Sequence, residues 1–308
     1  MLVSDSSNFD PPPSASQFSA SNIWYAELQD LIKGASGGFL FGIPLLYTVE
    51  VWSIGSSASA PLLLSVLGTT FIVVLLITQT EGFRRTLTLH SIEAAMESIE
   101  ALSLGLVCAA IALVLLRRIT LETPLPESLG KLVFEGVPFS LGVTLARSTL
   151  SRDRPPRDER RRVLTSSQQL PSRSILNLGD ALIDLDATLL GAIIIAFSIA
   201  PTEEIPLIAS SIPSLWLLLI MAASLVLSYG IVFASGFTDR DERDQRGLLL
   251  SPITETLVAY IVALVASMIM LIFFQQLGGD TPWQEWLSDT IVLGLPATVG
   301  GAAGRILI

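Results

Sequence analysis

Carboxylates set within long apolar runs are the residues of this chain best placed to do chemistry. A charge at bilayer depth costs at least ~2.5–3.5 kcal/mol, so acids kept there ask for a reason. They fall in two layers. In the first, Glu50 closes an apolar run near 34–54, and Glu204, with Glu203 beside it, closes another near 186–205. Thr48 and Thr202 each precede their glutamate by two residues, and Glu135 and Asp289 lie at the matching ends of two further runs. In the second layer Glu93, Glu97 and Glu100 are spaced by four and three, which puts them on one helix face, and Glu255 begins a later run.

Acidic rings at the two mouths of a pore or cleft attract cations and repel anions. Carboxylates also suit hard ions such as calcium or magnesium, and they relay protons. A plainer reading stands beside this one. Glu50 and Glu204 are then interfacial and wet, and Glu97 and Glu255 pair with Arg147 and Arg305. Enzyme chemistry has less support. Gly34-Ala35-Ser36-Gly37 matches the short Gly-x-Ser-Gly pattern of rhomboid-type serine proteases, with Ser36 as nucleophile and His90, the one histidine, as base. The equivalent of Ser36 in the second half is a leucine, Leu190, so no enzyme is expected. One histidine and one cysteine cannot make a usual zinc site. Phosphate-loop and dinucleotide fingerprints are missing from the sequence, and no cofactor is expected.

The elements that hold these residues must be membrane helices. Of the 308 residues 51% are hydrophobic and only 15% are charged, against ~25% charged in a usual soluble domain. The mean hydropathy is +0.64. Runs of about 20 apolar residues, the length of a span, lie near 34–54, 61–80, 98–116, 132–147, 186–205, 213–235, 255–274 and 289–307. The fold class expected is all-α, with eight transmembrane helices. Residues 1–22, with Pro11, Pro12 and Pro13, read as a disordered cytoplasmic tail. Residues 23–33 read either as an interfacial amphipathic helix or as an extension of the first span.

Lys and Arg set the orientation. With the N-terminus cytoplasmic, 15 of the 18 basic residues face inward, among them Lys33, Arg147, seven arginines from Arg152 to Arg173, and Arg305. Only Arg117, Arg118 and Lys131 face outward. Both termini are therefore expected on the cytoplasmic side of a bacterial inner membrane. The net charge of −10 does not oppose this, because the rule counts only Lys and Arg.

The chain also matches itself. A shift of 158 residues sets Glu97 on Glu255, Gly136 on Gly294, Pro138 on Pro296, Gly142 on Gly300 and Arg147 on Arg305. A shift of 154 sets Asp30 on Asp184, Gly37 on Gly191, Thr48 on Thr202 and Glu50 on Glu204. Two four-helix repeats follow, 23–147 and 176–308, joined by an arginine-rich cytoplasmic linker, 148–175. Four spans per repeat is an even number, so the repeats are parallel, about a pseudo-two-fold axis along the membrane normal. Pro138 and Pro296 should kink their spans and free backbone carbonyls. Gly34, Gly38 and Gly42, like Gly300 and Gly304, line one helix face for close packing.

The stretch Pro44 to Trp52 and the Ala-Pro-Thr-Glu-Glu-Ile segment from Ala200 to Ile205 resemble a family of uncharacterised bacterial eight-span integral membrane proteins with an internal duplication. That resemblance implies no particular activity. The working expectation is a cation transporter or channel, for protons, calcium or a monovalent ion. Its outer site is Glu50, Glu203, Glu204, Thr48 and Thr202, and its inner site Glu97, Glu100 and Glu255. The alternative is a non-transporting scaffold, sensor or lipid-binding protein. The bilayer and a cation are the expected partners, nucleic acid is not, and a homo-oligomer stays open.

Overall fold

The computed structural model describes residues 20–85, 91–148, 173–234 and 252–307, and every regular element among them is helical. The tail to residue 19, the linker from 149 to 172, His90, Arg240, Arg243 and Arg246 lie outside the described residues, as do the side chains of Arg84, Arg85 and Arg173.

The first half runs α1 (Ala20–Leu46), α2 (Val49–Ser56), α3 (Ala60–Arg85), α4 (Ser91–Leu115) and α5 (Leu125–Ser148). The second runs α6 (Arg173–Ile199), α7 (Glu204–Ser210), α8 (Ser214–Tyr229, continued by one π turn over Gly230–Ala234), α9 (Pro252–Phe273) and α10 (Trp283–Leu307). Residues 23–33 are a straightforward extension of the first helix. Five helices are long and apolar enough to cross a membrane: α3, α4, α5, α8 and α9. The number rises to seven if each of two bent pairs is one span. The expected eighth span lies in α10, whose 25 residues carry Glu285, Asp289 and Arg305 and are therefore less apolar.

The runs expected as the first and fifth spans are each bent. The chain turns by 88° between α1 and α2, and by 89° between α6 and α7. Proline is the physical reason. Pro44 has no N–H for the last turn of α1, and Pro201 cannot extend α6 beyond Ile199. Pro206 is tolerated in the first turn of α7, where its missing N–H has no helical acceptor in any case. At both bends the backbone bonds match: Thr48 N–H to Leu45 O (3.0 Å) beside Thr202 N–H to Ile199 O (3.1 Å), and Ser57 N–H to Ile54 O (3.2 Å) beside Ser211 N–H to Ile208 O (3.1 Å).

Helices α4 and α9 also end alike. Arg117 and Gln275 both adopt left-handed backbone, with φ of 54° and 61°, although neither is glycine. The next N–H groups reach back to the helix, Arg118 to Leu113 O (2.8 Å) and Gln276 to Leu271 O (2.9 Å), the closing bond of a Schellman cap. Thr123 and Thr281 then hold their loops through hydroxyls that accept from Thr120 N–H (3.0 Å) and Gly278 N–H (3.1 Å).

Within each half the last helix is central. Helix α5 packs on α1, α2, α3 and α4, and α10 packs on α6, α7, α8 and α9. Close approach at glycine makes this possible. A Cβ on Gly37 would stand 2.6 Å from Gly142 O, and one on Gly300 would stand 2.5 Å from Gly191 O. One apolar core joins the halves, including Ile43, Leu46, Leu113 and Phe139 from the first and Ile199, Ile231, Leu271 and Leu293 from the second.

Candidate functional site

The second acidic layer resolves mainly into ion pairs. Arg147 Nη2 donates to Glu100 Oε1 at 2.8 Å, so its partner is Glu100 and not Glu97, which is exposed. The two glutamates are three apart on α4, close enough along one face for the arginine to take the further one. Arg305 pairs with Glu255, as expected, and its guanidinium also lies 5.7 Å from the Phe233 ring. Glu93 is exposed.

The first layer is mixed. Glu50 and Glu203 are exposed. Glu204 is half-buried, with Oε2 enclosed and without a hydrogen-bond partner among the described residues. Thr48 lies at the first bend. Thr202 lies at the second, where its hydroxyl donates to Ile199 O (2.6 Å) and its carbonyl accepts from Gln276 Nε2 (3.4 Å). The carboxylates of this layer therefore range from exposed to enclosed. Ser36 is buried in α1.

Pro138 and Pro296 lie inside α5 and α10. A proline frees the carbonyl four residues earlier, which for Pro296 is Val292 O. Tyr47, at the first bend, donates its hydroxyl to that oxygen at 2.6 Å. This bond, buried and spanning the two halves, gives the freed carbonyl a structural use. Two more contacts cross the same seam: Trp216 Nε1 donates to Leu115 O at 2.7 Å, and Arg118 Nη2 donates to Ser211 Oγ.

The residue that sequence reading undervalued is Glu135. Helix α5 begins at Leu125, seven residues before the expected span, so Glu135 lies well inside it rather than at its end. Its exposure is 0%, and neither carboxylate oxygen has a hydrogen-bond partner among the described residues. Its depth relative to α1 follows from helix geometry. The two helices are antiparallel, since Gly37 meets Gly142 while Gly42 meets Phe139. One turn back from Phe139 and one turn on from Gly42 sets Glu135 level with Leu46, at the α1–α2 bend. There the last carbonyls of α1 carry the negative end of its dipole.

Above Glu135, toward the α4–α5 loop, stands a cationic and aromatic group. Lys131, one turn away and 8% exposed, donates to Arg118 O (2.9 Å) and Glu127 Oε1 (2.5 Å). The Trp52 ring lies 5.9 Å from Lys131 Nζ and 5.3 Å from the Arg118 guanidinium. Its own Nε1 is buried without a hydrogen-bond partner among the described residues. Burial lowers Arg118 from its ordinary value, and Tyr47 nearby works in the opposite sense.

Residues 30–308 match the integral membrane protein family DUF2391. The chain belongs to that family. No curated protein and no solved structure matches it.

Proposed function

We propose, with membership of that membrane family as the premise, that the chain is a transport protein for a small cation. It is built as two parallel four-helix repeats, α1–α5 and α6–α10, related by a pseudo-two-fold axis along the membrane normal. Eight crossings result when each bent pair and α10 count as spans. Both termini are cytoplasmic, in a bacterial inner membrane. The repeat is supported by the matched bends, the matched caps at Arg117 and Gln275, and the equivalent sets of helices packed around α5 and α10.

The observation that carries the transport reading is Glu135, a carboxylate enclosed in a membrane-crossing helix with both oxygens unpaired and level with a broken helix. Discontinuous helices whose free carbonyls face a cation are a recurrent way of building transporter sites. Glu50, Glu203 and Glu204, with Thr48 and Thr202, form an acidic approach at that end. Glu97, Glu100 and Glu255 form the opposite mouth, where Arg147 and Arg305 hold two of them.

A scaffold or sensor is the second reading. The glycine contacts of Gly37 with Gly142 and of Gly191 with Gly300 favour it, because they close the interior between helices. Proton, potassium, sodium and calcium flux into liposomes separates the two, with Glu50→Gln/Glu204→Gln alongside. Flux of one ion, weakened in the double variant, is expected. No flux of any of the four from folded, inserted protein would favour the scaffold.

A further inference from the structure

We infer that Glu135 is a proton-binding carboxyl and that the ion carried is the proton. The second half of the inference rests on the transport reading above, and the first does not.

The repeat supplies an internal control. By the same register, the second half has Pro201 for Tyr47, Pro206 for Trp52, Gln276 for Arg118, Asp289 for Lys131 and Leu293 for Glu135. It nevertheless makes the same bend and the same helix cap. The cap therefore does not need Arg118, and the last helix of a half does not need Lys131 or Glu135, while the bends rest on prolines at different positions in the two halves. A leucine at the Glu135 position is fully buried in the second half, so an apolar side chain suits that place. Keeping a carboxylate there in one half only marks a single site, in place of two equivalent ones.

The surroundings favour the proton over a metal cation. Calcium takes six to eight oxygens, whereas a proton needs one. Of the residues level with Glu135 or within a turn of it on the facing stretches, Ile43, Leu46 and Phe139 are fully buried and without side-chain oxygen, while Tyr47 and Thr48 at the bend bring only two hydroxyls, that of Tyr47 already donating to Val292 O. No cluster of three metal-binding side chains occurs among the described residues. The titratable and charged groups on the elements packed against α5 point the same way. Helix α2 offers Glu50, which is exposed, and α3 offers none from residue 60 to 79. Helix α4 offers Cys108 in the core and its acids at the far end. Helix α1 has Glu27, Asp30 and Lys33 at its far end and leads into Tyr47. Helix α5 itself has Glu127 and Lys131 on the loop side and Arg147 at its far end, and the loop before it has Arg117, Arg118 and the exposed Glu122. Arg118 and Lys131, the latter paired with Glu127, stand between the acidic approach and Glu135. They disfavour a metal ion over this last stretch, while protons pass by exchange through water. The step is simple: hydronium gives its proton to a Glu135 oxygen and leaves as water, and Glu135 later returns the proton to water on the other side.

The test uses the full chain in liposomes, with Glu135→Gln and Glu135→Leu. The leucine variant copies the second half and should melt at or above the parent. Proton uptake should fall on the order of a hundredfold in both, the low end of what a positioned proton-transfer group contributes. Infrared difference spectra between acid and alkaline pH should show a protonated-carboxyl band that both variants lose. Absence of that band overturns the inference whatever the fluxes show. Sodium, potassium or calcium flux that falls with Glu135→Gln overturns the choice of ion and leaves transport standing. The band without flux of any cation supports proton binding by Glu135 and removes transport.

Discussion

Replacing Gly37 by alanine probes the contact that sets the α1–α5 distance. A Cβ at this position would overlap the Ala146 methyl and stand 2.6 Å from the Gly142 carbonyl oxygen. Both neighbours are fixed, one a backbone atom and the other a side chain with no rotamer to change. Ordinary contact is ~3.5 Å, so the helices must part by about 1 Å. Overpacking of this kind costs about 1–3 kcal/mol. The better helix propensity of alanine returns about 1 kcal/mol, leaving a net loss of roughly 0–2 kcal/mol. Gly68, in α3, is the control, since a Cβ there meets nothing within 4 Å. Gly68→Ala should be neutral or stabilising by up to ~1 kcal/mol. At about 2 °C per kcal/mol for a chain of this size, thermal melts in detergent should separate the variants by several degrees. Gly191→Ala, at the equivalent contact in the second half, should behave like Gly37→Ala. If Gly37→Ala melted with or above Gly68→Ala, the close helix contact and the packing argument built on it would be wrong.

Other expectations follow from the same geometry. Tyr47→Phe removes the hydroxyl that serves Val292 O and should cost about 1 kcal/mol. Pro296→Ala supplies an N–H for that oxygen, so the double variant should lose less than the two losses added, a coupling read from a double-mutant cycle. Arg305→Met should lower the melting point far more than Arg147→Met. The Arg305 side chain is 1% exposed beside a Glu255 that is 19% exposed, and breaking such a pair costs about 3–5 kcal/mol. Glu100 in the other pair is 56% exposed, and a pair of that kind contributes roughly 0–1 kcal/mol. Equal shifts would contradict this ranking. With Cys108→Ala as background, an impermeant maleimide on whole cells should label Glu122→Cys and spare Asp30→Cys. The reverse pattern would invert the orientation.

Hydropathy made the helices legible, because burial in lipid demands long apolar runs, and the runs at 61–80 and 255–274 coincide closely with α3 and α9. The bends were hidden from the same signal, since Tyr47-Thr48 interrupts the backbone without interrupting the apolar run. Pro201 and Pro206 carried that information, and a reading by span length passes over it. Matching the halves found Glu255 and Arg305, whose pair is present. It also favoured Glu97 over Glu100, because symmetry in sequence does not say which of two acids on a helix face an arginine will reach. The same preference for repeated residues passed over Glu135, which matters in this account because Leu293 does not repeat it. The seam formed by Tyr47, Arg118 and Trp216 joins residues 93 to 245 positions apart. No local pattern announces such contacts.

Proton uptake into liposomes should be measured under an imposed pH gradient and a clamped membrane potential, with the parent protein beside Glu135→Gln at equal insertion. Uptake by the parent and its near-complete loss in the variant are expected. Equal uptake by both would contradict the role given to Glu135. Uptake no faster than in empty liposomes by either would contradict proton transport itself.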